Sequence, residues 1–285
     1  MDVMISASGL SKSYGKTEVL KQLNFSIERG RILGIIGPNG SGKTTLLKAI
    51  LGMTPFKGEL SVLGLNPETQ RDALMNDVCF VADVAVLPRW IKVSQALDFV
   101  EGVHPRFNRA KAERYIAATK LTPSMKVKEM SKGMLAQFHL ALVMAIDAQL
   151  LVLDEPTLGL DIMYRKMFYR HLIEDYYDAQ RTIIITTHQV EEIENILSDV
   201  MFIQNGEIVL HETMEKLQQR FIAVAVEPEN LEQALALKPV DQRKTLGSQI
   251  MLFDGVDADT LMALGELQTS NVADVFVQVM KDSYQ

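Results

Sequence analysis

The sequence predicts an α/β protein: a parallel sheet, an antiparallel β-subdomain before it, a helical insertion within it, and a small α+β domain at the C-terminal end. Three observations predict this. A β-branched run, Ile32-Leu33-Gly34-Ile35-Ile36, leads into Gly37-Pro38-Asn39-Gly40-Ser41-Gly42-Lys43-Thr44 and then into the helical pattern Thr45-Leu46-Leu47-Lys48-Ala49-Ile50. Two later runs, Leu150-Leu151-Val152-Leu153 and Thr182-Ile183-Ile184-Ile185-Thr186-Thr187, are nearly all apolar, as strands covered on both faces must be. The texture of the chain then changes near residue 218, which divides it into a domain over 1–218 and a second over 219–285.

Taken in order, residues 3–30 alternate apolar and polar in two runs, Val3–Ala7 and Val19–Ile27, around the turn-rich Ser13-Tyr14-Gly15-Lys16. Period two with one wet face suggests antiparallel strands. Tyr14, at the turn, is placed to stack on a purine or to pack on its own hairpin. After the loop helix Gly52 ends the helix, Gly58–Gly64 reads as a returning strand, and Asp77–Ala82 as a buried one that ends at Asp83. From Ile91 to Ala148 the spacing turns helical, so a helical subdomain spans about 84–148. Gln189–Leu197 reads as a helix, and Val200–Val209 as two strands around the Asn205-Gly206 turn. The C-terminal domain is expected to run strand (Ile222–Val226), helix (Asn230–Leu237), strand (Gln249–Phe253) and two helices (Asp259–Leu267, Val272–Met280).

Composition narrows the function classes. With 285 residues, 47% apolar and 23% charged, the chain has the makeup of a folded protein, and its net charge of −7 offers nucleic acid no global attraction. The single cysteine, Cys79, sits in the strand pattern Val78-Cys79-Phe80-Val81 and reads as a buried thiol in a reducing compartment. No stretch carries a signal-peptide pattern or reaches the roughly 18 apolar residues of a membrane-spanning helix. A soluble chain is expected, one that works at a membrane only through a partner.

The chemistry starts in the glycine-rich loop. Glycines 37, 40 and 42 let the backbone curl so that the amides around Asn39 and Ser41 point inward, and the start of the next helix adds its positive dipole end. A polyphosphate would meet donors that need no rearrangement. Lys43 supplies a charge for the outer phosphates, Thr44 a hydroxyl for Mg²⁺, and Thr45 continues the set. The plain alternative, a flexible strand-to-helix connection, leaves Lys43-Thr44 unexplained. Asp154 and Glu155 follow an apolar strand, so both carboxylates can face the same crevice, one toward the metal and one toward a water. His188, at another strand end, can hold the terminal phosphate or the attacking water.

With these residues together, the chain resembles the nucleotide-binding subunit of an ABC transporter over roughly residues 3–215. The loop is similar to that family's Walker A, Leu150–Asp154 with Glu155 to its Walker B and catalytic glutamate, Gly159-Leu160-Asp161 to its D-loop, and His188 to its switch histidine. Tyr14 falls at the adenine-stacking aromatic. The resemblance implies the P-loop NTPase fold, ATP and Mg²⁺ as ligands, and catalytic roles for Glu155, His188 and Asp161. It further implies a head-to-tail dimer, homomeric or heteromeric, an integral membrane permease as a separate chain, and a peripheral place on the cytoplasmic face.

Two departures stand out. The family signature is replaced by Met130-Ser131-Lys132-Gly133-Met134, in which Ser131, Lys132 and Gly133 would complete the site of the opposite subunit. The glutamine of the Q-loop is replaced by Asp83, which can ligate Mg²⁺ but cannot donate a hydrogen bond when ionised. Leu87 and Trp90 follow it as candidate contacts for the membrane subunit, with a core tryptophan as the other reading. The ending Asn271–Phe276 is similar to that of ATPases serving ABC-2 exporters. The alternatives are a soluble ABC ATPase outside transport and a nucleotide-responsive subunit with weak hydrolysis.

Overall fold

The computed structural model describes residues 2–81, 87–158, 160–244 and 249–280. Asp83 and Gly159, both singled out in the sequence, lie outside the described residues. The chain forms two compact units, one of Met1–His188 with Ile203–Ile208 and one of Gln189–Phe202 with Val209–Gln285. The border expected near residue 218 falls in the second of these.

The first unit opens with β1 (Val3–Tyr14) and β2 (Thr17–Glu28), a long antiparallel pair. Buried and exposed residues alternate along both strands, and Gly15 turns between them at φ 60°. Next come β3 (Ile32–Ile36), α1 (Lys43–Ile50) and β4 (Lys57–Val62), which pairs with the free edge of β1 and completes a three-stranded sheet. The short α2 (Arg71–Leu74) precedes β5 (Val78–Val81), where Cys79 is buried as expected. Burial raises the thiol of Cys79 to about 12, so it stays protonated and inert.

The helical insertion consists of α3 (Val93–Val103), α4 (Arg109–Ala117) and α5 (Lys132–Met144). Its core is a separate cluster that includes Val93, Leu97, Ile116, Phe138 and Leu142. Burial of each such large side chain contributes roughly 1.5–3 kcal/mol. The sequence then returns to β6 (Leu150–Asp154), α6 (Ile162–His171), a π-helical turn at Leu172–Tyr176, and β7 (Thr182–Thr187). Strands β5, β6, β7 and β3 are parallel neighbours in that order, and every residue of β3, β6 and β7 is buried. Their shared direction collects the β3, β6 and β7 ends at one edge.

One buried base in this unit titrates where stability can report it. His139 in α5 has a buried Nε2 without a hydrogen-bond partner, and burial lowers its ring from 6.5 to about 4. Because the folded chain holds that proton less tightly than the unfolded chain, the stability tied to the neutral ring is complete above about 6.5 and is lost as pH falls toward 4. Urea midpoints between pH 7 and pH 4.5 are expected to fall less steeply for His139→Leu than for the parent.

The second unit begins with a correction. Where the sequence predicts one helix over Gln189–Leu197, the chain makes two 3-10 turns, Val190–Glu192 and Glu194–Ile196. Val190, Ile193 and Ile196 recur every three residues, the period of a 3-10 helix, and Glu191, Glu192 and Glu194 crowd like charge into two turns. β8 (Asp199–Gln204) and β9 (Glu207–Thr213), whose Ile203–Ile208 stretch belongs to the first unit, turn at Asn205 and Gly206, both at positive φ, as expected of Asn-Gly. α7 (Met214–Arg220), β10 (Phe221–Val226), α8 (Leu231–Ala236), β11 (Asp241–Lys244), β12 (Gln249–Asp254), α9 (Ala258–Met262), β13 (Gly265–Thr269) and α10 (Val272–Met280) follow. Four strands make an antiparallel sheet in the order β11-β12-β10-β13.

This sheet corrects a second expectation, since residues 259–267 are a short helix and then a strand. Gly265 lies so close to the Ala225 carbonyl that a Cβ there would sit 2.1 Å from its oxygen. Backbone pairing with β10 therefore takes over from helical propensity. β11, wholly polar, gave no apolar alternation to read.

Candidate functional site

The site grows from the β3 edge. Gly42, at φ 112°, breaks the strand direction before α1, a conformation open to glycine and strained for other residues. Gly37 is packed as closely: a Cβ on it would meet the Ile203 carbonyl oxygen at 2.3 Å and the Ser41 hydroxyl at 2.6 Å. Gly37→Ala is expected to destabilise the first unit by about 1–3 kcal/mol through overpacking, read as a lower urea midpoint. At Gly40, by contrast, nothing stands within 4 Å of the Cβ position, which leaves the loop open on that side.

Lys43 is buried to 7% exposure and turns back over the loop, donating to the carbonyls of Gly37 at 2.6 Å and Pro38 at 3.1 Å. Burial lowers its pKa, opposed by the Glu155 and Asp154 carboxylates. The ammonium is thus partly desolvated, and its hydrogen-bond acceptors among the described residues are neutral oxygens, a state that an anion improves.

The carboxylates arrive from β6. Asp154 is 5% exposed, and its two oxygens accept from Thr44 Oγ1 at 3.0 Å and Thr186 Oγ1 at 2.5 Å. Thr44 and Asp154, 110 residues apart in the chain, are therefore in direct contact. Thr186 is the residue that sequence reasoning missed; a threonine at the end of a buried strand beside the Asp154 strand was the available signal. Its hydroxyl and carbonyl also accept from the Glu155 amide, at 3.1 and 3.2 Å. Glu155 itself holds φ 49°, the left-handed region, at a strain of about 1–2 kcal/mol. Its Oε2 pairs with Nδ1 of His188 at 2.8 Å, with the carboxylate largely shielded and the imidazole half exposed. Strained backbone at the end of a buried strand, locked by two hydrogen bonds, fixes where this carboxylate points.

Tyr14 is half exposed, with Lys12 Nζ 4.8 Å from its ring centroid. The Thr54 hydroxyl, then that of Thr45, and the charges of Lys12 and Lys48 pull its phenol below the ordinary value against the effect of burial. Tyr14 is thereby brought next to Thr45 on the loop helix.

Other predicted residues lie on separate elements. Asp161 caps α6, accepting from the amides of Met163 at 3.0 Å and Tyr164 at 3.1 Å. Ser131 caps α5 through Met134 N at 3.2 Å, with Lys132 and Gly133 opening the helix. Their observed contacts are structural. Trp90 is 67% exposed, which rules out the core reading, and Leu87 packs partly against the helical core.

Whether these residues suit a nucleotide and a divalent cation is tested by what the loop leaves unused. Ser41 Oγ is buried without a hydrogen-bond partner, inside a curl of backbone that a single Cβ would fill. One hydroxyl and one carboxylate, hard oxygens in contact, suit a Mg²⁺ that keeps waters and phosphate oxygens as its other ligands. Among the described residues no cluster of three or more His, Cys, Asp or Glu side chains could hold a metal without such help. The donor set fits.

Comparison with known proteins agrees. The ABC transporter family profile matches residues 20–158. The chain is 34% identical to Nod factor export ATP-binding protein I of Rhizobium johnstonii over 211 residues, 72% of this chain and 67% of that protein. It is 28% identical to the ABC transporter ATP-binding protein YdbJ of Bacillus subtilis over 235 residues, 81% of this chain and 76% of that one. In fold it is similar to a solved ATP-binding subunit of an ABC transporter, at TM-score 0.67 and 22% identity over 75% of this chain and 92% of the other. No described helix is long and apolar enough to cross a membrane. The chain, an ATPase, belongs to the ABC transporter ATP-binding family.

Proposed function

We propose that this ATP-binding subunit closes head-to-tail with a second ATPase subunit over two nucleotides, and that the dimer drives an exporter of ABC-2 type from the cytoplasmic face of the membrane. The observation that carries the reading is the contact set at one sheet edge: Lys43 over the loop, Thr44 and Thr186 on Asp154, and His188 on Glu155. The rhizobial relative is an export ATP-binding protein, which favours the outward direction.

In this mechanism the loop amides, with Asn39, Ser41 and Thr45 in the same run, hold the phosphates, and Lys43 moves its ammonium from the Gly37 carbonyl to an outer phosphate. Thr44 and Asp154, with Asp83 on the segment after β5, would hold Mg²⁺, which when bound neutralises phosphate charge. Glu155 accepts a proton from the attacking water as its oxygen bonds to the terminal phosphorus and the bridging oxygen leaves with the diphosphate. His188 positions Glu155 through Nδ1, and Tyr14 stacks on the base. Ser131, Lys132 and Gly133 serve the partner's nucleotide, and Asp161 lies at the subunit seam. Exposed Leu158, Ile162 and Met163 near that seam suit burial against a second copy. Trp90, with Leu87, provides an anchor for the permease, and residues 219–285 form the accessory domain.

Purification from detergent-solubilised native membranes tests this directly. An integral membrane protein should accompany the chain and raise its phosphate release. Release that is unaffected by any co-purifying membrane protein, together with salt-sensitive nucleic-acid binding, would favour the soluble alternative.

A further inference from the structure

The first unit carries a second concavity that none of the residues assigned to the nucleotide lines. It measures about 640 Å³ and lies between α4, α5 and α6 with its π-turn. Sites for small organic molecules run to roughly 300–1,000 Å³, mostly apolar with a few placed polar groups. This one has that character: Leu140, Met144, Leu160 and Phe168 supply apolar wall, while Tyr115, Tyr164 and His171 present ring faces and edges. Tyr115 and His171 meet edge to face, with centroids 5.7 Å apart.

Its charges are unbalanced. Asp175, the only acid among the described lining residues, is already engaged by His171 Nδ1 at 2.7 Å and by the Tyr115 hydroxyl at 3.4 Å. Among the described residues Lys111 donates to the Asp175 backbone carbonyl at 3.4 Å and lies over the Tyr176 ring; burial and then Arg181 lower its pKa against the pull of Asp175 and Asp147, and an added anion would strengthen that pull. Arg114 lines the cavity from an exposed position, and the acids along α3 and α4 that form ion pairs, Asp98, Glu101 and Glu113, pair with Arg109. Two cations therefore face a space whose one carboxylate is occupied. Asp175 lies in, and His171 at the start of, a π-helical turn, a rare conformation that is frequent at functional sites.

We propose that this cavity binds an aromatic organic anion, its ring between Tyr115, Tyr164 and Phe168 and its acid group toward Arg114 and Lys111. Occupancy has a route to the nucleotide. Two of the walls are α5 and α6, whose N-terminal ends carry Ser131–Gly133 and Asp161, and a ligand wedged between them sets the spacing of those ends. The coupling rests on the proposed function; the binding does not.

The test uses the full chain and the fluorescent probe 1-anilinonaphthalene-8-sulfonate. Saturable binding is expected, abolished by Ala118→Trp, which fills the mouth from an exposed position, and weakened about tenfold by Arg114→Glu. Circular dichroism checks both variants, and Arg114→Glu, on the surface, stands alone if Ala118→Trp misfolds. Lys43→Ala should bind the probe as the parent does. 1-Naphthoate should displace the probe, while dodecanoate and the neutral 1-naphthalenemethanol should not at the same concentration. Absence of probe binding, or equal binding by parent, Ala118→Trp and Arg114→Glu, overturns the site. Equal displacement by dodecanoate or the alcohol overturns the aromatic or the anionic assignment. Naphthoate should also change phosphate release in the parent and not in Ala118→Trp. An unchanged rate in an active parent refutes the coupling, whereas a parent without hydrolysis refutes the proposed function and leaves the probe result standing.

Discussion

Glu155→Gln is expected to lower ATP turnover by about 10²–10⁴-fold while nucleotide affinity stays within about twofold of the parent. Glutamine keeps the length and hydrogen-bonding reach of the side chain, so the contact with His188 Nδ1, 2.8 Å in the parent, survives. The backbone that aims it survives too, because the Glu155 amide is held by Thr186 and not by its own side chain. What glutamine cannot do is accept a proton from water at neutral pH. Phosphate release under saturating ATP reads the loss, and size-exclusion chromatography with ATP should reveal an accumulated dimer. Turnover equal to the parent's would remove Glu155 from the mechanism and leave the His188 pair a structural contact.

Lys43→Ala should raise the nucleotide dissociation constant about 100-fold or more. Each charge-assisted contact between an ammonium and a phosphate oxygen is worth roughly 1.5–3 kcal/mol, and a buried one is screened little by solvent. The same substitution removes a partly desolvated cation whose partners here are the Gly37 and Pro38 carbonyls, so the melting temperature should move little while affinity collapses. Thermal melting without ligand reads the first effect, and isothermal titration with a non-hydrolysable ATP analogue reads the second. Parent-like affinity would undo the assignment of this loop to phosphate.

The parts that were legible in the sequence share a physical cause. The strands Ile32–Ile36, Leu150–Asp154 and Thr182–Thr187 are buried on both faces, so their residues had to be apolar whatever else they did. Gly37, Gly40 and Gly42 were visible because the loop's curvature leaves little other choice. The misreadings came where two structures share one pattern. Spacing by three at Val190, Ile193 and Ile196 suits an α-helix or a pair of 3-10 turns, and residues 259–267 hold both a helix start and a pairing edge. Asp161 and Ser131 looked like chemistry by motif, and the structure gives each a capping bond as well. The cavity beneath α4 left no signature, since its lining comes from three separated helices whose residues become neighbours only after folding.

Lys43 bridging its own loop has a consequence for how the molecule meets nucleotide. The ammonium acts as a latch that keeps the curl in shape before any ligand arrives, so association swaps one oxygen partner for another and needs little folding of a slack segment. Arrival should then be fast, and discrimination among nucleotides should appear mainly in how long each one stays.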